Sequence, residues 1–157
     1  MIRFKQIAAL SSLLVATLAG AQTIEVSDAW ARATVAGQSA SGAFMKIRAS
    51  EAARLVSAST PVAGVTEVHE MKMEQNIMKM AAISALDLPA GKWVELRPGG
   101  YHVMLMDLKK PLADASTVTL NLVFETAKGV RSTQQLQVPV RAMGMNASKT
   151  HEHTHKH

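Results

Sequence analysis

Tyr101-His102-Val103-Met104-Leu105-Met106-Asp107 is the stretch that decides what this chain becomes. It follows Pro98-Gly99-Gly100, a strong turn signal. Its residues alternate, and alternation at period two predicts a strand. Successive side chains of a strand point to opposite faces, so His102, Met104 and Met106 share one face while Val103 and Leu105 share the other. One short strand thus offers an imidazole and two thioethers in one direction and keeps an apolar face for a core.

Upstream lies a second stretch of the same kind, Val68-His69-Glu70-Met71-Lys72-Met73. His69, Met71 and Met73 fall on one face of the strand predicted over Val65 to Met71 and its extension. Glu74-Gln75-Asn76 is a polar break, and Ile77-Met78-Lys79-Met80 follows it, so the spacing predicts a hairpin with a loose connection. Further out, Thr23 to Arg32, Gly42 to Ala49, Leu55 to Thr60, Trp93 to Leu96, Thr117 to Glu125 and Val130 to Val140 read as strands. Val118, Leu120, Leu122 and Phe124 occupy one face of the Thr117 strand, and Lys128-Gly129 turns the chain back. Ser50 to Arg54 reads as a turn or a single helical turn, and Ala81 to Leu88 as a segment of mixed, partly helical character. Eight or nine short strands with frequent turns and no helix longer than two turns predict an all-β domain, an antiparallel sandwich or barrel.

The two ends have a different texture. Met1-Ile2-Arg3-Phe4-Lys5 is basic, Ile7 to Leu18 is apolar or small apart from Ser11, Ser12 and Thr17, and Ala19-Gly20-Ala21 resembles a cleavage site. These three parts predict a secretory signal peptide over residues 1–21. The apolar run falls short of the roughly 20 residues that span a bilayer, so the mature protein is expected to be exported and soluble. The boundaries are then 22–142 for the β-sandwich domain and 143–157 for a disordered, Met/His-rich tail. That tail carries Met143, Met145, His151, His153, His155 and His157 with no apolar run to pack.

Composition narrows the chemistry. The chain has 157 residues, 48% of them hydrophobic, enough for one domain with its own core. Loss of Arg3 and Lys5 with the leader lowers the formal charge from +5 to +3. The basic residues are dispersed, which gives nucleic-acid binding no support. There is no cysteine, hence no disulfide and no thiolate for zinc, iron–sulfur or blue-copper ligation. No nucleophile elbow, phosphate loop or dinucleotide fingerprint is present, so no enzymatic activity is expected. Ten methionines remain. Methionine is a common core filler, but two imidazoles, each beside strand methionines, form an N2S2 donor set that suits Cu(I).

The spacing His69-x10-Met80-x21-His102-x-Met104 resembles the periplasmic copper(I) chaperones of the PCu(A)C family. The resemblance extends from Ala29-Trp30-Ala31-Arg32 through Gly42-Ala43-Phe44-Met45 and Pro98-Gly99-Gly100 to Pro139-Val140. It implies a cupredoxin-like β-sandwich. It implies Cu(I) held by His69, Met80, His102 and Met104, and delivery toward the copper centre of cytochrome c oxidase, with the oxidase subunit or a thioredoxin-like copper protein as partner. The family often has asparagine after the second strand and glycine before the strand at Thr117; here stand Ala49-Ser50 and Asp114-Ala115. Met71, Met73, Met78 and Met106 lie outside the motif and are expected to pack or to assist. The tail's methionines and histidines are auxiliary candidates, with Cu(II) as their metal. Two rival readings stand beside this one: a divalent-metal scavenger (Cu(II), Zn or Ni) working through the tail, and an interaction module that binds no metal.

Overall fold

The computed structural model describes residues 22–142. The expected signal peptide and the tail, with Met143, Met145, His151, His153, His155 and His157, lie outside the described residues. Ten strands follow in order: β1 Ile24–Arg32, β2 Ser41–Ala49, β3 Ala53–Ser59, β4 Ala63–Glu74, β5 Ile77–Ala82, β6 Leu86–Leu88, β7 Trp93–Leu96, β8 His102–Leu108, β9 Thr117–Thr126 and β10 Arg131–Arg141. No helix forms among the described residues. The partly helical character expected for Ala81 to Leu88 is replaced by the end of β5 and by β6, because Leu86 and Leu88 are both drawn into the core. Two-residue spacing sends both to the same side of an extended chain, and no helix could do that.

The strands are hydrogen-bonded in the order β5-β4-β8-β2-β1-β10-β9-β3-β6, with β7 added beside β2. All pairings are antiparallel except β1 with β10, which meet in parallel at Ala31↔Val140 and Arg32↔Arg141. That short parallel junction divides the path into two halves. Ala43, Met45, Ile47, Val68, Val103 and Leu105 from one half share a single buried cluster with Leu55, Leu88, Leu120, Leu122, Phe124 and Val138 from the other. The inner faces therefore pack against each other as a cupredoxin-like sandwich, as the alternation of β8 and β9 requires.

A bulge in β1 sets the outer face. The register with β2 shifts between Ser27 and Trp30, and Asp28 takes φ 53. A one-residue slip reverses which side of the strand faces inward. Ala31 is buried in the core as a result, and Trp30 lies against Phe44 with ring centroids 4.7 Å apart.

The β4–β5 connection is tight rather than loose. Glu74 pairs with Ile77, so only Gln75 and Asn76 form the turn, with φ 49 and φ 62. Left-handed φ at both central residues is the type I′ geometry, whose twist matches that of the flanking strands. Beyond His69, β4 has left β8 and pairs in the ladder with β5 alone. The hairpin therefore projects from the sheet as a two-stranded ribbon.

Ala115 holds φ 61 just before β9, at the place where the resembling family often has glycine. A left-handed backbone costs a non-glycine residue roughly 1–2 kcal/mol, and a glycine gives back about half of that gain through its looser unfolded chain. Ala115→Gly is expected to raise stability by roughly 0.5–1 kcal/mol on that balance. Phe124→Ala, which empties a buried site between the layers, should cost about 3–5 kcal/mol. Urea unfolding midpoints of the two variants check both signs.

Candidate metal centre

The register of β4 on β8 places His69 directly opposite His102, Val68 opposite Val103 and Glu67 opposite Met104. Val68 and Val103 are buried in the core, so the histidine pair necessarily lies on the outer face. The two rings have centroids 5.7 Å apart, and the residues are only 8% and 7% exposed. On the other flank of β4, Met71 pairs with Met80 and Met73 with Met78. Two-residue spacing puts all of these on the face that carries His69. Eight donor side chains thus share one surface: His69, Met71, Met73, Met78, Met80, His102, Met104 and Met106.

Each histidine is oriented by one partner. Nδ1 of His102 lies 3.0 Å from the carbonyl oxygen of Gly100. A carbonyl only accepts, so Nδ1–H donates and Nε2 keeps its lone pair. Nε2 of His69 lies 2.9 Å from the Glu67 carboxylate. An ionised carboxylate also only accepts, so Nε2–H donates and Nδ1 is the bare nitrogen. That Nδ1 is buried and has no hydrogen-bond partner. An unsatisfied buried acceptor costs about 1–3 kcal/mol, and a metal ion with an affinity for imidazole would relieve it. Orientation of a ligating histidine by a carboxylate or a carbonyl is how metal sites fix the tautomer.

The Pro98–Gly100 turn supplies the Gly100 carbonyl. Gly100 N–H donates to the Arg97 carbonyl at 3.0 Å, with Pro98 and Gly99 between them and Gly99 at φ 83. Proline followed by a left-handed residue is the type II arrangement, and it requires glycine in the second place. The same Gly100 oxygen accepts from Met71 N–H at 3.2 Å, tying the root of the hairpin to the start of β8.

Aromatic and basic groups close one side. Phe44 lies 6.4 Å from the His102 ring, and the Arg32 guanidinium stands 5.5 Å from the Phe44 centroid. A Cβ on Gly42 would meet Phe44 Cζ at 2.9 Å, so the absence of a side chain there lets the ring lie over the strand. A cleft of 280 Å³ runs past these groups; Met71, Met80, His102, Met104, Phe44 and Arg32 are among the residues that line it. His69 is not among its lining residues; it stands behind the cleft wall only as the cross-strand partner of His102.

Of the four donors expected from the sequence, Met80, His102 and Met104 line this cleft, and His69 stands opposite His102. Met106 is half-buried on the same face. Met73 and Met78 do not pack: they are 64% and 44% exposed, and Met80 is 49% exposed. Sequence reasoning missed Glu67, although its two-residue spacing from His69 puts both on one strand face. It also missed the Gly100 carbonyl, since a backbone group leaves no residue signature. Among the described residues, no three of histidine, cysteine, aspartate and glutamate are gathered where they could hold a metal ion. The donors that do gather are two nitrogens and several thioethers, a soft set.

Burial lowers the His102 pKa from its ordinary value of 6.5; the Gly100 carbonyl opposes the shift, and His69 and Arg32 reinforce it. Tyr101 is raised, first by burial and then by the nearby Glu70 carboxylate. A ring whose folded pKa is lowered stays neutral, and ready to ligate, below the pH at which an unfolded chain takes up a proton. The stability tied to that neutral ring is present above the unfolded value and is lost as pH falls through the folded one.

Three comparisons bear on this geometry. The model of the LpqE-like family matches residues 24–140. A protein of Leifsonia xyli subsp. xyli, named as a lipoprotein, is 34% identical over 122 residues, which is 77% of this chain and 71% of that protein. Among solved structures, the copper-bound PCuAC domain from PmoF2 superposes with a TM-score of 0.59 at 24% identity, covering 76% of this chain and 92% of that domain. The solution structure of CuI-DR1885 from Deinococcus radiodurans gives a TM-score of 0.51 at 26% identity, with 77% and 76% covered.

The metal-free protein is expected to show a His102 ring titration centred below pH 6.5, the ordinary histidine value. Proton NMR of the ring C–H signals reads it directly. A midpoint at or above that value would contradict the burial described here.

Proposed function

We propose a copper-carrying function from one premise: the chain belongs to the LpqE-like family, of the PCuAC type. Copper is its cargo, taken up as Cu(I) by His69, Met80, His102 and Met104 and passed on without chemical turnover. The observation that carries this reading is the opposed pair of buried histidines. Each has one nitrogen committed to an acceptor and the other bare, on a face rich in thioethers. Cu(I) is a d10 ion that accepts tetrahedral N2S2 sets and favours soft sulfur. Thioethers carry no proton and form no disulfide, so they remain usable in an oxidising compartment.

The name of CuI-DR1885 supports the monovalent state, and that of the PmoF2 domain supports copper as the metal. The lipoprotein relative supports export, and a periplasmic location fits the basic–apolar–small pattern of residues 1–21. The 157 residues contain no thiol to which a lipid could be attached through a thioether. The acceptor we propose is the copper centre of cytochrome c oxidase, reached directly or through a thioredoxin-like copper protein. Exposure of Met80 favours hand-over, because a ligand at the surface can be displaced by one from an incoming partner.

The tail is the proposed home of any Cu(II) binding, through Met143, Met145, His151, His153, His155 and His157. That makes general divalent scavenging the second reading. The third, an interaction module whose methionines all serve the core, is disfavoured by the exposure of Met73, Met78 and Met80.

Met80→Leu and Met104→Leu test the ligand set. Leucine keeps the volume but has no lone pair, and such swaps cost under about 1.5 kcal/mol even in cores. Both variants should fold, while Cu(I) affinity in competition with a chromogenic chelator drops at least about tenfold, equivalent to a loss of roughly 1.4 kcal/mol. Met45→Leu, deep in the core, is the control and should bind as the parent does. A copper-dependent rise in thermal midpoint that persists unchanged in both motif variants would show that these sulfurs are not ligands.

A further inference from the structure

The projecting hairpin carries more thioethers than the four-donor site uses. Met71 pairs with Met80 and Met73 with Met78, on one face of a two-stranded ribbon. Directly opposed residues have Cβ atoms about 4.5–5.5 Å apart and diagonal ones about 7–8 Å, within reach of long side chains. Lys72 and Lys79 oppose each other on the other face, each engaged by an acid: Lys72 with Glu70 at 2.9 Å and Lys79 with Glu74 at 2.9 Å. The charges of the ribbon are thus gathered and neutralised on one side, and the sulfurs stand alone on the other.

Packing does not explain them. All six residues of β5 are exposed, Met73 is more than half exposed at the far end of β4, and neither Met73 nor Met78 belongs to the core cluster. Large apolar side chains at the tip of a ribbon gain little from burial there, and methionine is a weak strand former compared with the β-branched residues that usually fill such places. What methionine has and those residues lack is a sulfur lone pair for a soft metal.

We propose that Met71, Met73 and Met78 form a second, sulfur-only site for a soft monovalent ion, Cu(I), at the exposed end of the hairpin. Three thioethers satisfy a trigonal d10 ion. Met80 stands beside the set, opposite Met71, and Met71 and Met80 both line the cleft that contains His102 and Met104. The hairpin is then a landing place from which copper moves inward by ligand exchange. One copper–thioether bond to the hairpin breaks as one to Met80 forms, and the ion keeps its charge throughout, with no proton or electron transferred. The identity of the metal rests on the copper-carrying reading above; the hairpin set itself does not depend on His69 or His102.

Titration of the whole mature chain with Cu(I) under anaerobic reductant, against a chromogenic chelator, tests this. The double variant Met73→Leu/Met78→Leu is expected to bind one equivalent fewer than the parent while keeping its far-ultraviolet circular dichroism. The equivalent it loses should be the one whose affinity changes by less than roughly twofold between pH 7 and pH 5, because thioether ligation displaces no proton. X-ray absorption on the parent at the lower pH should show sulfur scatterers alone around that copper. Lys72→Gln/Lys79→Gln, on the other face of the same ribbon, should leave the count unchanged. Equal stoichiometry in parent and methionine variant overturns the proposal, and so does a loss in the lysine variant as large as in the methionine one. Absence of the pH-sensitive equivalent, with the pH-insensitive one retained, would instead remove the histidine-based reading and leave the hairpin site standing.

Discussion

The antiparallel register of β4 on β8 is the constraint on which the rest of the outer face depends. Val68 against Val103 and His69 against His102 are neighbouring rungs of one ladder, one turned into the core and the other out of it. A slip of β4 by a single residue would turn His69 into the core and Val68 out of it, away from the face that keeps His102. The apolar set on the inner side therefore holds the histidines opposite each other. Burial of Val103 and Leu105 against Leu122, Phe124 and their neighbours supplies the energy, at about 25 cal/mol for each Å² of apolar surface removed from water. The donor pair inherits its alignment from that packing.

Two backbone devices refine the alignment. The type II turn at Pro98–Gly100 delivers one carbonyl oxygen to both the His102 ring and the Met71 amide. The bulge in β1 reverses the strand so that Trp30 joins Phe44 beside the cleft instead of entering the core. Neither device contributes much stability alone. Each determines the direction in which a side chain points, which a metal site needs more than it needs stability. The surface ion pair of Arg48 with Glu25 is the exposed, solvent-screened kind that contributes little to stability.

The outer face is graded from buried to exposed. At its root, two nearly buried histidines meet along one rung, a rigid arrangement with an unsatisfied acceptor. Beyond Met71 the ribbon has no third strand in its ladder, and its methionines stand in solvent. In the proposed site, affinity is expected at the rigid end, where orientation is already fixed before an ion arrives. For the copper-carrying function proposed above, exchange is expected at the open end, where a second protein's ligands can approach.

Much of this was legible in the residues. Period-two alternation in Tyr101 to Asp107 and in Thr117 to Glu125 determined strands and their inner faces, because a strand has only two sides. It also determined that His102, Met104 and Met106 share a side, and that the fold is all-β. The absence of cysteine and the pairing of histidine with methionine determined the softness of the donor set. Tertiary structure alone decided that His69 faces His102, since register between strands separated by some thirty residues is settled by packing of the whole core and not by any local signal. It decided that Leu86 to Leu88 is a strand, that Gln75-Asn76 is a two-residue turn, and that Met73 and Met78 are exposed and not packed. Alternation tells which residues share a face, but whether another layer covers that face depends on where the neighbouring strands end.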